Sequence, residues 1–522
     1  MQGKKNYQEK LFTSFQLSER VPENNFYRRL KETLDLSFLR EQTAGYYGAE
    51  GQSSIDPEVF FKLMLIGYIE NLCSDRKIIE HASMRMDMLY FLNYDVDESL
   101  PWHSTLSRTR KLYGEKLFLD VFRQVLSICV SKGMVDGSRQ AIDSTFIKAN
   151  AAISSLTERQ IQQNCSVFYQ DLLKNEDKSN STKGKARVTE NKKYVSTSDP
   201  DARLSTKANK QKALNYFGQI SVDTASHVIC GAMADFADKR DSQCLPGILD
   251  QTVENLKQNA LKVEEVLADS AYSSGSSLRY LEKVEIQAYI PCIGNYLPFR
   301  KDFTYNALGD FYQCKAGVKI PFKGVRTDYR DNSKTKSYYS SAKDCQSCTF
   351  RAECIGNAKY KQIGDTIDKP YYDQMYSRVK SKMGQKMKKL RSSTVEPVLG
   401  TLLYFRGMKK VYTKGIDLAN KHVLLAATAY NLKKLLAFKV KKEPNNATFI
   451  PLKRDFDHLI NFIKQQIDFL LKSERNMCIL VKSKSANYFL TKGCATGTSC
   501  ALKKYFSDKC VLFTLFLFGS AA

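Results

Sequence analysis

No hydrophobic run in this chain is long enough to cross a bilayer. The most apolar stretch, CVLFTLFLF from Cys510 to Phe518, falls far short of the roughly 20 residues that a spanning helix needs, and reads as a buried terminal strand. The N-terminal stretch MQGKKNYQEKLFTSF lacks the apolar centre of a signal peptide. Membrane attachment and export are therefore not expected, and a cytoplasmic location is. Without an export signal, the 14 cysteines point to reduced thiols or metal ligands rather than disulfides. Acidic residues are also scarce. Asp and Glu number 55 against 80 Lys and Arg, a formal net charge of +25. Such an excess sets up a field that favours a polyanion, nucleic acid above all.

What is present is otherwise ordinary for a globular protein: 43% hydrophobic and 26% charged residues over 522 positions. That length suggests about two to four domains. Residues 1–45 show no clear pattern. From Asp56-Pro57, a good N-cap and first-turn pair, the run PEVFFKLMLIGYIENL repeats apolar residues at helical spacing. Ser74 is placed to cap a second helix through about Leu92, and Ser104 a third, STLSRTRKLYG. A fourth helix is expected from about Glu115 to Lys132. Residues 1–135 thus read as an all-helical domain. It is either a plain bundle or a helix-turn-helix that presents Arg108, Arg110 and Lys111 to DNA.

Residues 136–292 read as a mixed α/β core. A first strand and its exit occupy 136–153, and a polar insertion of about 154–212 has the Ser, Lys and Asn content of a mobile loop. Its charges are either solvated or in contact with DNA. Strands are expected at Leu214–Val222 and His227–Met233, a helix at Cys244–Leu256, a strand before Asp269, a helix at Ser276–Lys283 and a strand in QAYIP. Three early strands followed by strand–helix alternation is the order of an RNase H-like mixed sheet. Residues 293–372 interleave aromatics, Lys and Cys, as an insertion domain would. Residues 373–440 are basic and helical. Residues 441–522 hold one amphipathic stretch, Phe456–Leu471, and a Cys/Lys/Ser-rich tail to which no role is assigned.

Three acids stand out. Asp143 (QAIDSTFIKA) and Asp269 (EEVLADSAYSS) end short apolar runs that read as buried strands delivering a carboxylate to a sheet edge. Glu396 (RSSTVEPVLGTL) follows a basic segment of helical character. Each has a plain alternative: either aspartate as a cap or turn former, the glutamate as a surface residue. Together they would suit two Mg²⁺ or Mn²⁺ ions, since hard cations take carboxylate oxygens and a two-metal site serves phosphodiester chemistry. Asp223, Asp235, Asp238 and Asp241 compete for such roles, Asp241 most strongly. The basic run before Glu396 includes Arg378, Lys388, Lys389 and Arg391, which would either face water or track a phosphate backbone.

Several stretches carry a resemblance, in one order: IDPEVFFKLMLIGYIENLCSDRKIIE, PWHSTLSRTRK, QAIDSTFIKANA, STSDPDARLSTK, VLADSAYSS, RSSTVEPVLGTL and AYNLKKL. With them the chain resembles the DDE transposases of bacterial insertion sequences. The resemblance implies an RNase H-like fold and a catalytic triad of Asp143, Asp269 and Glu396. It implies cleavage at element ends followed by transfer of the freed 3′-OH to target DNA. The implied partners are double-stranded DNA, with its terminal inverted repeats, and a second copy of the chain; the implied location is cytoplasmic, at the nucleoid. The pattern departs in places. Where many relatives carry a Lys after the glutamate, an Arg four before it and a Tyr seven before it, this chain has Leu403, Ser392 and Lys389. Lys409 and Lys410 are placed to replace the missing lysine. These departures leave a non-catalytic, transposase-derived DNA-binding protein as the alternative.

Within the insertion, Cys314, Cys345, Cys348 and Cys354 include one Cys-x-x-Cys pair. Thiolates at that spacing can share a tetrahedral zinc; the alternatives are free buried thiols and a redox role.

Overall fold

A computed structural model describes residues 14–48, 50, 54–72, 74–158, 191–205, 212–294, 296–327 and 334–438. The expected strand Cys510–Phe518, the stretch Phe456–Leu471, the tail and most of the polar insertion lie outside the described residues.

The N-terminal part is helical. Asp56 caps the helix Pro57–Ile69 by accepting from the Glu58 N–H at 2.8 Å. This helix is apolar nearly all round and buried nearly all round, as a central helix must be. The stretch expected as one helix to Leu92 is two, Asp75–Ser83 and Met86–Leu92. Arg85 is extended between them, and its guanidinium clasps Asp87 at 2.6 Å, which restarts the chain in a new direction. The helix His103–Leu112 begins one residue before Ser104, with Trp102 at the cap position. Glu115–Ser131 completes the set. Residues 1–45, patternless in sequence, hold the helices Leu17–Arg20, Phe26–Thr33 and Phe38–Thr43. Asn25 caps the second of these, and Tyr27, Leu30 and Leu39 are buried.

The main sheet contains β1 (Arg139–Lys148), β4 (Arg203–Ser205), β5 (Ala213–Asp223), β6 (Ile229–Phe236), β7 (Glu265–Leu267) and β8 (Gln287–Tyr289). A separate short pair, β2 (Leu156–Glu158) and β3 (Tyr194–Ser196), brackets the polar insertion. In the main sheet β5 pairs antiparallel with β1, and β6 antiparallel with β5. On the other side of β1 run β7 and then β8, both parallel. β4 extends the β6 side of β5. Helices Asp241–Lys257 and Gly275–Lys283 make the two parallel crossovers. This is the RNase H-like mixed sheet expected from the sequence.

The outer edge of β6 is not left to water. The closing helix, Ile416–Ala437, lies along it. Asn431 accepts from the Ile229 N–H at 2.9 Å and donates to its carbonyl at 2.8 Å, and Asn420 accepts from Ala234 N–H at 2.8 Å. From Asp241–Lys257, Gln251 accepts from Ala232 N–H and Asn255 donates to the Cys230 carbonyl, each at 2.9 Å. Buried backbone groups at a sheet edge need such partners. The closing helix also packs against the N-terminal helices, so one continuous hydrophobic core runs from Leu30 and Phe61 through Ile220 to Leu432.

The insertion forms its own antiparallel sheet, ordered β13-β12-β11-β10-β9: β9 (Phe303–Asn306), β10 (Phe311–Cys314), β11 (Lys319–Thr327), β12 (Lys334–Tyr339) and β13 (Gln362–Thr366). Tyr312, Ile320, Tyr338 and Ile363 are its small core. The chain then returns through Lys369–Lys380 into the long helix Lys382–Phe405, which carries Glu396. Gly384 permits that junction. A Cβ there would stand 2.2 Å from the Arg378 carbonyl oxygen and 2.6 Å from Val379.

Candidate active site

The sheet register sets the two aspartates side by side. Ala141 on β1 faces Leu267 on β7 as the last pair of the parallel ladder, and Asp143 and Asp269 each come two residues later. Asp143 is not at a strand end, as its sequence setting suggested. β1 continues to Lys148, held antiparallel by β5. The aspartate marks the end of the parallel ladder only. Asp269 caps a short helical turn, Ser270–Tyr272, accepting from the Ala271 N–H at 2.9 Å.

Glu396 reaches this pair through an arginine. Arg391 donates from Nη1 to Asp143 Oδ2 at 3.0 Å and from Nη2 to Glu396 Oε1 at 3.3 Å. Arg391 and Asp143 are mostly covered, whereas the Glu396 side chain is 61% exposed. Burial pushes the Asp143 carboxyl above the ordinary range. The Ser144 N–H and the Arg391 charge pull it down, and the neighbouring charge of Asp269 pushes it up. Near the aspartates lies Tyr272, fully buried, its hydroxyl donating to Gln219 Oε1 at 2.7 Å. Burial first, then the charges of Asp241, Asp143 and Asp269, raise its phenol. Asp241 belongs to the same neighbourhood, because Ser144, next to Asp143, donates its hydroxyl to it.

The other competing acids have structural work. Asp223 accepts from the N–H groups of Gly137 at 2.8 Å and Ala225 at 2.9 Å. Asp235 pairs with Lys239 at 2.8 Å, and Asp238 with Arg203 at 3.5 Å. Among the expected DNA contacts, Arg108 and Lys111 are exposed on one helix, and Lys388, Lys389 and Lys409 are exposed too. Arg110 is held by Asp75 at 2.6 Å, and Arg378 donates to the Ala288 carbonyl at 3.1 Å. Lys410 bridges to Lys148 beside β1. The role of Arg391 between two carboxylates was not legible in the sequence, and neither was that of Tyr272.

Among the described residues, no three His, Cys, Asp or Glu side chains are grouped to hold a metal ion as they stand. At the acidic site the donor chemistry fits a hard cation: carboxylate oxygens, one of them in a covered setting where negative charge is costly. A guanidinium already stands in for positive charge between Asp143 and Glu396. In the insertion, Cys314, Cys345, Cys348 and Cys354 line one small cavity with Ser340 and Lys361. Burial raises the Cys354 thiol, and the other three sulfurs add to that. The four are soft donors of the type that zinc takes, but as they stand they are not grouped to hold an ion.

Two protein families match this chain. Residues 15–112 match "Transposase domain (DUF772)", and residues 313–436 match "Transposase DDE domain". Over those residues the chain is similar to DDE transposases. The second match covers Glu396 and the closing helix with Asn420 and Asn431. No curated protein matches the sequence. Among solved structures, the piggyBac transposase synaptic complex with hairpin DNA is 8% identical, with a TM-score of 0.26, over 78% of this chain and 73% of that one. The Mos1 transposase paired-end complex with left transposon end is 8% identical, with a TM-score of 0.15, over 48% and 64%. The Mos1 mariner paired-end complex with Mn is 9% identical, again at 0.15, over 52% and 73%. No helix among the described residues is long and apolar enough to cross a membrane.

Proposed function

We propose that this chain is a DDE transposase, which cuts DNA at the ends of a mobile element and joins the freed 3′-OH to target DNA. One observation supports it most: Asp143, on β1, and Asp269, just past the end of β7, each come two residues after the Ala141–Leu267 pair, with Glu396 tied to the first through Arg391. The transposase-domain matches at both ends of the described chain agree with it.

Asp143, Asp269 and Glu396 would hold two Mg²⁺ or Mn²⁺ ions. Bound there, such ions supply Lewis-acid activation and charge neutralisation at the phosphodiester. The rest is the work of the protein. Tyr272 and Gln219, both fully buried and hydrogen-bonded to one another, exclude water near the aspartates. The Ala271 N–H orients the Asp269 carboxylate. Lys388 and Lys389, exposed beside the glutamate, take DNA phosphates, as do Arg108, Lys111 and Lys409 from other elements. Hydrolysis of one strand frees a 3′-OH, which attacks a target phosphodiester without a covalent protein intermediate. Two ends must be held together, so the active complex is a homodimer on double-stranded DNA, acting in the cytoplasm.

The test is nicking of DNA that carries the element end, with Mg²⁺, by the wild-type chain and by Asp143→Asn. Nicking at the element boundary by the wild type alone supports the proposal. Salt-dependent DNA retention without metal-dependent nicking would point to the non-catalytic alternative, which Leu403 favours. The four cysteines are proposed to bind one structural zinc. Metal analysis of the purified chain checks this, and loss of the metal in Cys345→Ser is expected.

A further inference from the structure

Asp143 has both oxygens engaged. Oδ1 accepts from the Ser144 N–H at 2.8 Å, and Oδ2 accepts from Arg391 at 3.0 Å. The second nitrogen of the same guanidinium reaches Glu396 Oε1 at 3.3 Å. A planar fork with five donors bridges two carboxylates on different elements in a way that a lysine cannot. Arg391 is also well covered, with its side chain 15% exposed, so its charge acts on Asp143 with limited screening by water. A divalent cation on Asp143 Oδ2 would stand within a few ångströms of that guanidinium, where like charges repel strongly. Arginine and cation therefore compete for that oxygen.

We propose that Arg391 is a displaceable counter-ion: it holds Asp143 and Glu396 together in the metal-free chain and must leave when a divalent cation binds. The proposal rests on the reading of Asp143, Asp269 and Glu396 as a cation site. It accounts for carboxylates that converge without being grouped to hold a metal as they stand. The way out is short, because Glu396 is exposed and Lys388 and Lys389, on the same helix, already face solvent. Arg391 is then a positioning residue for the metal-free state and a competitor for the metal-bound one.

The experiment titrates Mn²⁺ into the full chain, without DNA, and follows free Mn²⁺ by electron paramagnetic resonance. Thermal unfolding is measured with and without the ion. Arg391→Gln is expected to bind Mn²⁺ about tenfold more tightly than wild type and to unfold at a lower temperature in the absence of metal. Arg391→Lys keeps the charge but loses the fork, and is expected to fall between the two. It carries the test if the glutamine variant does not fold. Unchanged or weaker Mn²⁺ binding in these variants, with binding still abolished by Asp143→Asn, would overturn the counter-ion role alone. Absence of Mn²⁺ binding in wild type and variants alike would overturn the cation site with it.

Discussion

Asp143, inside β1, and Asp269, just past the end of β7, each come two residues after the parallel Ala141–Leu267 pair. Their charges oppose one another, and the Asp143 carboxyl is raised by burial and, further, by Asp269. Two like charges held this way cost stability unless a cation joins them. Asp269→Asn removes one charge and keeps an N-cap residue for the Ser270–Tyr272 turn. The metal-free variant is expected to be more stable than wild type by about 1 kcal/mol, and Mg²⁺ should no longer stabilise it. Calorimetry with and without Mg²⁺ checks both. A less stable metal-free variant would contradict the repulsion.

Glu396 offers the opposite case. Its side chain is largely exposed and its one ion pair is 3.3 Å long. Glu396→Gln should change stability by no more than about 0.5 kcal/mol, as exposed pairs do. Nicking should fall by about a thousandfold or more. A variant that nicks normally would remove Glu396 from the chemistry.

The helix junction at Ser381 sets where Arg391 and Glu396 arrive. Gly384 lies so close to Arg378 and Val379 that any Cβ collides with backbone. Gly384→Ala is expected to destabilise the chain by about 2 kcal/mol or more, despite the better helix propensity of alanine. Chemical denaturation measures this, and a neutral or stabilising effect would contradict the packing.

His422, on the closing helix, is buried, and its Nδ1 meets the Tyr68 hydroxyl at 2.7 Å. Burial and the Arg110 charge lower its pKa to about 4. The folded imidazole thus stays neutral where the unfolded one takes a proton. Between about pH 6.5 and pH 4 the unfolded state binds more protons, so stability should fall as pH falls through that window. His422→Asn should flatten the slope by about one proton. A wild-type slope that the variant leaves unchanged would show that this histidine is not responsible.

Much of the fold was legible because local signals agreed with the tertiary answer. Apolar runs ending in Asp143 and Asp269 are indeed strands, and Asp56-Pro57 does start a helix. The helix break at Arg85 was not legible: its pair with Asp87 is local but leaves no pattern in the apolar spacing, and its pair with Glu70 is tertiary. The start at Trp102 was missed because Ser104 is the better capping residue by type, although the helix begins one residue earlier and Ser104 falls inside the first turn. The helices before residue 45 are short, and only Asn25 before Tyr27 and Leu30 signals one of them. At the site, Arg391 and Asp143 are 248 residues apart, and no local pattern links them. Ser144 and Asp241, 97 residues apart, meet only once β1 and the helix after β6 are in place.

Asp143, Asp269 and Glu396 are expected to share cations. Anomalous scattering from crystals of the chain with Mn²⁺ and element-end DNA measures this directly. The expected result is manganese bonded to oxygens of all three residues, with the Arg391 guanidinium moved off Asp143. Manganese elsewhere, or held by only one of the three while the DNA end is seated, would contradict it.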